Sequence, residues 1–322
     1  MSPPDPPADP SGDTPADGAP PVGWRLWWMG ARPRTLPAAV APVLVGTAAA
    51  VGAGGAGTGV GEVIWWRFLC ALVVALSVQV GTNYANDYSD GRRGTDAPSE
   101  RVGPLRLVGN GLASPGAVRR ATLVAFAVTL AAGAPLVLLV DARLALVGVA
   151  AVAAGWFYTG GPSPYGYAGL GEAFVFVFFG LVATGGSAFV QTEEVTATAV
   201  VAGAAMGFLA TALLVVNNLR DIPGDTRAGK RTLAVRLGDR ATRALYTALL
   251  VAAIVAVPVM VATGASPVVA LALAAVVPAR RPVTAVLSGA RGAGLIPVLA
   301  QTGAVQLLYA VLATVGLATV GA

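Results

Sequence analysis

The 322 residues are 56 % hydrophobic and only 11 % charged, with a mean hydropathy of +0.72. Soluble domains carry about 25 % charged residues, so the chain reads as a polytopic membrane protein and not as one or two soluble domains. It has no histidine and one cysteine, Cys70, which excludes His-based triads, haem ligation, His-zinc sites, an internal disulfide and multi-cysteine metal sites, and its net charge of +5 gives no reason to expect a nucleic-acid partner.

Residues Met1 to Gly23 are rich in Pro, Asp, Gly and Ala, with Asp5, Asp9, Asp13 and Asp17 and no base. Such a segment buries too little apolar surface to fold and is expected to be a disordered tail; it lacks the basic start and apolar core of a signal peptide. A single membrane domain then runs from Trp24 to Ala322. Trp24 to Trp28, beside Arg25, Arg32 and Arg34, mark a bilayer interface. Apolar runs follow at about Leu36–Val51, Arg67–Tyr84, Ala121–Val140, Leu144–Phe157, Leu170–Val190, Val200–Val216, Ala244–Ala262, Pro267–Val277 and Ala300–Val320. A spanning helix needs about 20 residues, so the fourth and eighth runs are short enough to be re-entrant. Ser114-Pro115 and Ser266-Pro267 have the pattern of an N-cap followed by Pro at the first helical position.

Charge placement orients the chain. With the N-terminus in the cytoplasm of a cell-membrane protein and all nine runs crossing, only Arg67 and Arg143 of the 21 basic residues fall near the outer face. If the eighth run did not cross, Arg280, Arg281 and Arg291 would move outside, so nine helices is the expected count.

The second run ends in NYANDYSDGRRGTD (Asn83 to Asp96), and the sixth in NNLRDIPGDTRAGKR (Asn217 to Arg231). Carboxylates at a membrane edge are costly unless a cation meets them, and by default they mark a functional site. Asn83 and Asp87 match Asn217 and Asp221, a repeat that hints at internal duplication. On a helix, Asn83, Asp87 and Asp90 share a face; Asn217, Asp221 and Asp225 repeat the arrangement, with Pro223 and Gly224 as a candidate break. Two carboxylate clusters suit Mg²⁺, which takes oxygen ligands, keeps waters and is usually bound through one or two carboxylates plus substrate phosphates. Asp87, Asp90, Asp221 and Asp225, with Asp96 as a further candidate, are the expected metal ligands and catalytic residues. Arg101, Arg106, Lys230 and Arg231 are placed to hold diphosphate oxygens.

The bland alternative for a single DxxD is solvated loop surface, and the matched pair is what argues against it. An EF-hand loop fails because the twelfth position from Asp87 is Pro98, and no GxxxxGK[ST] occurs. Arg32 and Arg34 are either interfacial anchors or substrate contacts. Tyr158, Tyr165 and Tyr167 fit an aromatic belt, with Tyr158 the candidate for substrate contact. Glu172 suits the dipole of a helix start, and Gln306 and Tyr309 suit hydrogen bonds between helices.

Together these stretches resemble the intramembrane aromatic prenyltransferase (UbiA) superfamily, whose two aspartate-rich motifs bind an isoprenyl diphosphate through Mg²⁺. The resemblance rests on ARPRTLP (Ala31 to Pro37), the two Asp motifs, RVGPLRLV (Arg101 to Val108), PYGYAGLGE (Pro164 to Glu172) and GAVQLLYAVLATVGL (Gly303 to Leu317). It implies an all-α fold of about nine transmembrane helices around a central cavity with a cytoplasmic cap. It also implies a polyprenyl diphosphate donor, an aromatic acceptor and a tail lying between helices open to lipid. The third aspartate, Asp96, comes six residues after Asp90, and YTGGP stands where members acting on 4-hydroxybenzoate resemble Tyr-Pro-x-x-Lys-Arg. Both departures favour the branch that prenylates 1,4-dihydroxy-2-naphthoate over one using another aromatic acceptor. The rival from another class is a transporter with carboxylates lining a cation path, which would place such acids at midplane in inverted halves.

Overall fold

A computed structural model describes residues 22–52, 62–94 and 105–319; Asp96, Arg101 and residues 1–21 of the acidic tail lie outside that set. The described residues form helices and no strands. The helices are α1 (Trp24–Ala31), α2 (Pro37–Gly52), α3 (Trp65–Arg93), α4 (Pro115–Leu139), α5 (Leu144–Phe157), α6 (Gly171–Val175), α7 (Ala183–Thr192), α8 (Ala197–Arg227), α9 (Leu233–Ala262), α10 (Val276–Leu287) and α11 (Ile296–Ala318). A π-helical stretch, Phe176–Val182, joins α6 to α7 into one span, and a 3₁₀ stretch, Pro267–Ala275, runs into α10.

Among the described residues seven helical segments are long and apolar enough to cross a bilayer. An eighth forms if α1 with its 3₁₀ turn and α2, bent by 53°, are counted together. The protein is thus a multi-pass membrane protein. All nine predicted runs are helical, but their lengths differ from expectation. The eighth extends over Pro267–Leu287, 21 residues, which is long enough to cross; α5, at 14 residues, stays short. The count of nine is therefore approximate. Ser114 and Ser266 do cap their helices, accepting from Ala117 N and Val268 N.

Helix α8 forms the spine of the bundle, packed along α9 and against α2 and α11. The contacts are built from small side chains such as Ala41 and Ala48 of α2, Ala202 and Ala205 of α8, and Ala310 of α11. Lipid supplies no hydrophobic drive between helices, so close backbone approach through small residues is what holds them together. Tyr309 bridges helices as expected, donating to Ala253 O at 2.9 Å. Gln306 does not: it is fully buried and neither amide atom has a partner among the described residues.

One expectation about the motif helices changes. The first Asp motif lies on a helix end as expected: α3 continues through it to Arg93 and stops at Gly94, whose φ of 73° closes the helix. The second motif is not broken at Pro223-Gly224: α8 runs on to Arg227. Pro223 forgoes the bond an N–H there would donate to Leu219 O, and the helix nonetheless continues for four more residues. Both motifs thus ride on rigid helix ends.

Candidate active site

A cavity of about 1830 Å³ opens among α2 to α9. Sites for drug-sized ligands are roughly 300–1,000 Å³, so this one suits a larger, mainly apolar guest. One end is apolar, lined by Leu130, Val137, Leu144, Val147, Phe178 and Val182. The other is polar and receives the ends of α3 and α8.

On α3, the cavity is lined by Gln79, Asn83, Asn86 and Asp90, spaced 4, 3 and 4 apart along one helical face. Asp87 does not line it. It stands at the edge of that face, about 40° beyond Asn83 and on the side away from Asn86 and Asp90. It is 1 % exposed, and its oxygens accept from the backbone N–H groups of Leu107 and Val108, both at 2.9 Å. Asn83 and Asp90 thus reach the cavity from the shared face, whereas Asp87, at its edge, secures the Arg106–Val108 segment. Gly91 permits that closure, because a Cβ there would lie 2.5 Å from Val108 Cβ. Gly91→Ala is expected to push the segment off α3 and to cost about 1–3 kcal/mol as overpacking does. Thermal unfolding in detergent, with protease sensitivity of residues 105–113, measures it.

On α8, Asn217, Asn218, Asp221 and Asp225 all line the cavity. The two clusters meet directly. Lys230, just beyond α8, places Nζ 3.3 Å from Asp90 Oδ2 on α3, and Tyr167 donates to the other oxygen of Asp90. Lys230 also sits 4.7 Å above the Tyr167 ring, and Arg93 lies over the same ring while donating to Thr159 O and Gly161 O. Tyr167 therefore belongs to the site and not to an interfacial belt. Arg220 grips Asp221 through two bonds of 2.7 Å and also donates to Asn217 Oδ1 at 2.9 Å.

Arg32, Arg106 and Tyr158 line the cavity as read from the sequence. Arg231 does not; its side chain is exposed, and its backbone N–H donates to Tyr167 O at 3.0 Å. Arg34 lines the cavity too, and Arg93, Arg220, Arg227 and Asn218 do so without having been singled out as site residues. The signal for Asn218 was its neighbour: Glu172, a carboxylate at the head of an apolar run, is buried and accepts from Asn218 Nδ2 at 2.9 Å, so it does more than serve a helix dipole. Burial first, then the charge of Glu172, pushes the Tyr158 phenol well above its ordinary pKa, which keeps it protonated.

Among the described residues no three acidic side chains converge on one point. That fits Mg²⁺ held by one or two carboxylates with phosphate oxygens completing its shell, and not a cation caged by protein alone. At the far end of α3, Arg67 donates to Val190 O at 2.8 Å and pairs with Glu193, while Arg143 sits over Phe189. The two bases expected on the outer face thus gather away from the Asp clusters.

Sequence and structure comparisons agree with this picture. The chain is 48 % identical over 286 residues to the 1,4-dihydroxy-2-naphthoate octaprenyltransferase of Mycobacterium leprae, covering 88 % of this chain and 93 % of that one. It is 36 % identical to the Escherichia coli protein of the same name over 72 % of this chain and 74 % of that one. A solved UbiA homolog from Archaeoglobus fulgidus, bound to GPP and Mg²⁺, superposes with a TM-score of 0.63 at 14 % identity, covering 91 % and 99 % of the two chains, and so shares the fold. A sequence model of the UbiA prenyltransferase family matches residues 39–281, most of the helical bundle. The chain is a polyprenyltransferase and belongs to the UbiA prenyltransferase family.

Proposed function

We propose that this protein transfers a polyprenyl group from its diphosphate to 1,4-dihydroxy-2-naphthoate, with loss of CO₂, as a step of menaquinone biosynthesis. The observation that carries the reading is the meeting of two Asp-bearing helix ends with a set of bases at the polar end of one long apolar cavity. The names of the relatives support the naphthoate as acceptor, since they are similar over nearly their whole length.

Asp90, Asp221 and Asp225 are the residues that would hold Mg²⁺, which when bound neutralises the diphosphate and eases its departure. Lys230, Arg106 and Arg227 border the same space and offer donors to the phosphate oxygens, Arg in bidentate fashion. The allylic C–O bond breaks with its electron pair leaving on the diphosphate. The ring carbon that bears the carboxylate forms the new C–C bond, and the electrons of its bond to CO₂ then restore aromaticity. The apolar wall keeps water from the allylic cation and follows the polyprenyl chain toward lipid.

Purified protein in nanodiscs, given labelled prenyl diphosphate and a panel of aromatic acids, tests the reading. Prenylated product and CO₂ in equal amounts with the dihydroxynaphthoate, abolished by EDTA and restored by Mg²⁺, are expected. Turnover in excess EDTA would remove the metal. Transfer to a different acid alone would move the acceptor.

The placement of bases further supports a cytoplasmic Asp face and N-terminus in the cell membrane. In a Cys70→Ala background, an impermeant thiol reagent is expected to label Thr226→Cys from the cytoplasmic side and Thr192→Cys from outside. Both positions are exposed, and labelling in the reverse sense would invert the topology.

A further inference from the structure

The wall of the cavity that runs from the end of α5 through α6 into the π-helical stretch gathers four aromatic rings. Tyr165 stacks on Phe174 with ring centroids 3.9 Å apart, Phe178 continues the row 6.1 Å further on, and Tyr158 meets Tyr165 edge-on at 5.5 Å. All four rings line the cavity. Facing them from α8 is Asn218, one helical turn before Asp221, on the side leading away from Asp225 and toward the apolar end. That is about 5 Å of helix, the offset at which a nucleophile would sit beside a diphosphate held at the aspartates.

Asn218 is fixed in one orientation. Its Nδ2 donates to Glu172, and Glu172 is a buried carboxylate that can only accept while ionised. The amide oxygen is thereby turned the other way, and it accepts no bond among the described residues. A neutral amide oxygen beside a flat aromatic wall and a protonated phenol selects a hydroxylated aromatic ring. It does not select a carboxylate, which would meet oxygen with oxygen and lie close to Glu172.

Resting on the prenyltransferase reading, we propose that Asn218 and the Tyr158–Phe178 wall form the subsite for the hydroxylated ring of the acceptor. Asn218 Oδ1 accepts from a ring hydroxyl, and Glu172 acts as a positioning residue that sets the amide. Accepting that hydrogen bond leaves electron density on the ring oxygen, the direction that makes the ring more nucleophilic.

The test uses full-length protein in nanodiscs, with KM for acceptor and for prenyl diphosphate measured separately. Asn218→Ala is expected to raise the acceptor KM about tenfold, the worth of one hydrogen bond, and to leave the prenyl diphosphate KM in place. Glu172→Leu is expected to reproduce that split, and Glu172→Gln to recover most of it, because the glutamine carbonyl still accepts from Nδ2. Competitive binding gives a readout independent of turnover. Affinity for 1,4-naphthalenediol falls in Asn218→Ala, and affinity for 2-naphthoate, which lacks the hydroxyls, does not.

A rise confined to the prenyl diphosphate KM would assign Asn218 to the metal site and overturn the subsite. So would equal damage from Glu172→Gln and Glu172→Leu, or equal loss of both naphthalene ligands. If Asn218→Ala does not fold, the two Glu172 variants carry the same contrast. If wild-type protein prenylates no naphthoate, the functional reading fails, while the two-ligand comparison still decides the subsite.

Discussion

Asp221→Ala is expected to lower prenyl transfer by about 10³-fold, several kcal/mol of transition-state stabilisation lost with one oxygen ligand of a catalytic metal. The structure adds a complication that has to be separated from the metal. Asp221 is the bidentate partner of Arg220, whose side chain is only 3 % exposed. Removing one member of such a buried pair costs about 3–5 kcal/mol by itself, because the other charge is left uncompensated. Arg220→Gln combined with Asp221→Ala removes that burden. Stability is expected to return in the double variant and transfer is not. Recovered transfer would reduce Asp221 to a counter-ion and exclude it as a ligand.

Asp87→Ala is expected to be as damaging by a different route. Its carboxylate satisfies two backbone N–H groups in a buried place shielded from bulk solvent. Each donor left unpaired costs about 1–3 kcal/mol, so a loss of about 2–6 kcal/mol and release of the Arg106–Val108 segment should follow. Arg106 lines the cavity from that segment, so diphosphate affinity should fall with it. Hydrogen exchange at Leu107 and Val108, and the denaturation midpoint, measure this. Unchanged exchange with lost turnover would instead place Asp87 among the groups that touch the metal. Excess Mg²⁺ should rescue neither variant, but only Asp221→Ala should keep a wild-type melting temperature once Arg220 is also replaced.

The helical runs and the two motif helices were legible because hydropathy and spacing are one-dimensional properties. Polar residues blurred the ends: the apolar run stopped at Tyr84, while the helix goes on to Arg93. Counting at 100° per residue puts Asp87 at the edge of the face that holds Asn83, Asn86 and Asp90, about 40° beyond Asn83. The α1–α2 bend and the 3₁₀ start of the Pro267–Leu287 span depend on tertiary packing, and no local pattern announces them. Within the site, the Asp clusters, Arg106, Lys230 and Tyr158 were readable as chemistry at a membrane edge. Tyr167 was assigned to the bilayer because its partners, Asp90 and Lys230, come from helices distant in sequence. Glu172 carried a usable signal that its helix-start position masked.

The π-helical stretch Phe176–Val182 has a consequence for phase. A span of pure α-helix keeps one stripe toward its neighbours throughout, whereas one wide turn acts as an inserted residue and advances everything beyond it by about 100°. Before the insertion the span shows Phe174 to the cavity; after it, Val182, Ser187 and Val190 still line the cavity, while Gln191 accepts from Ile64 N at 2.9 Å and Val190 O from Arg67. The aromatic wall and the clasp on the start of α3 thus belong to one span with the wide turn between them, so its register is held from the far end of the bundle as well as from the cavity.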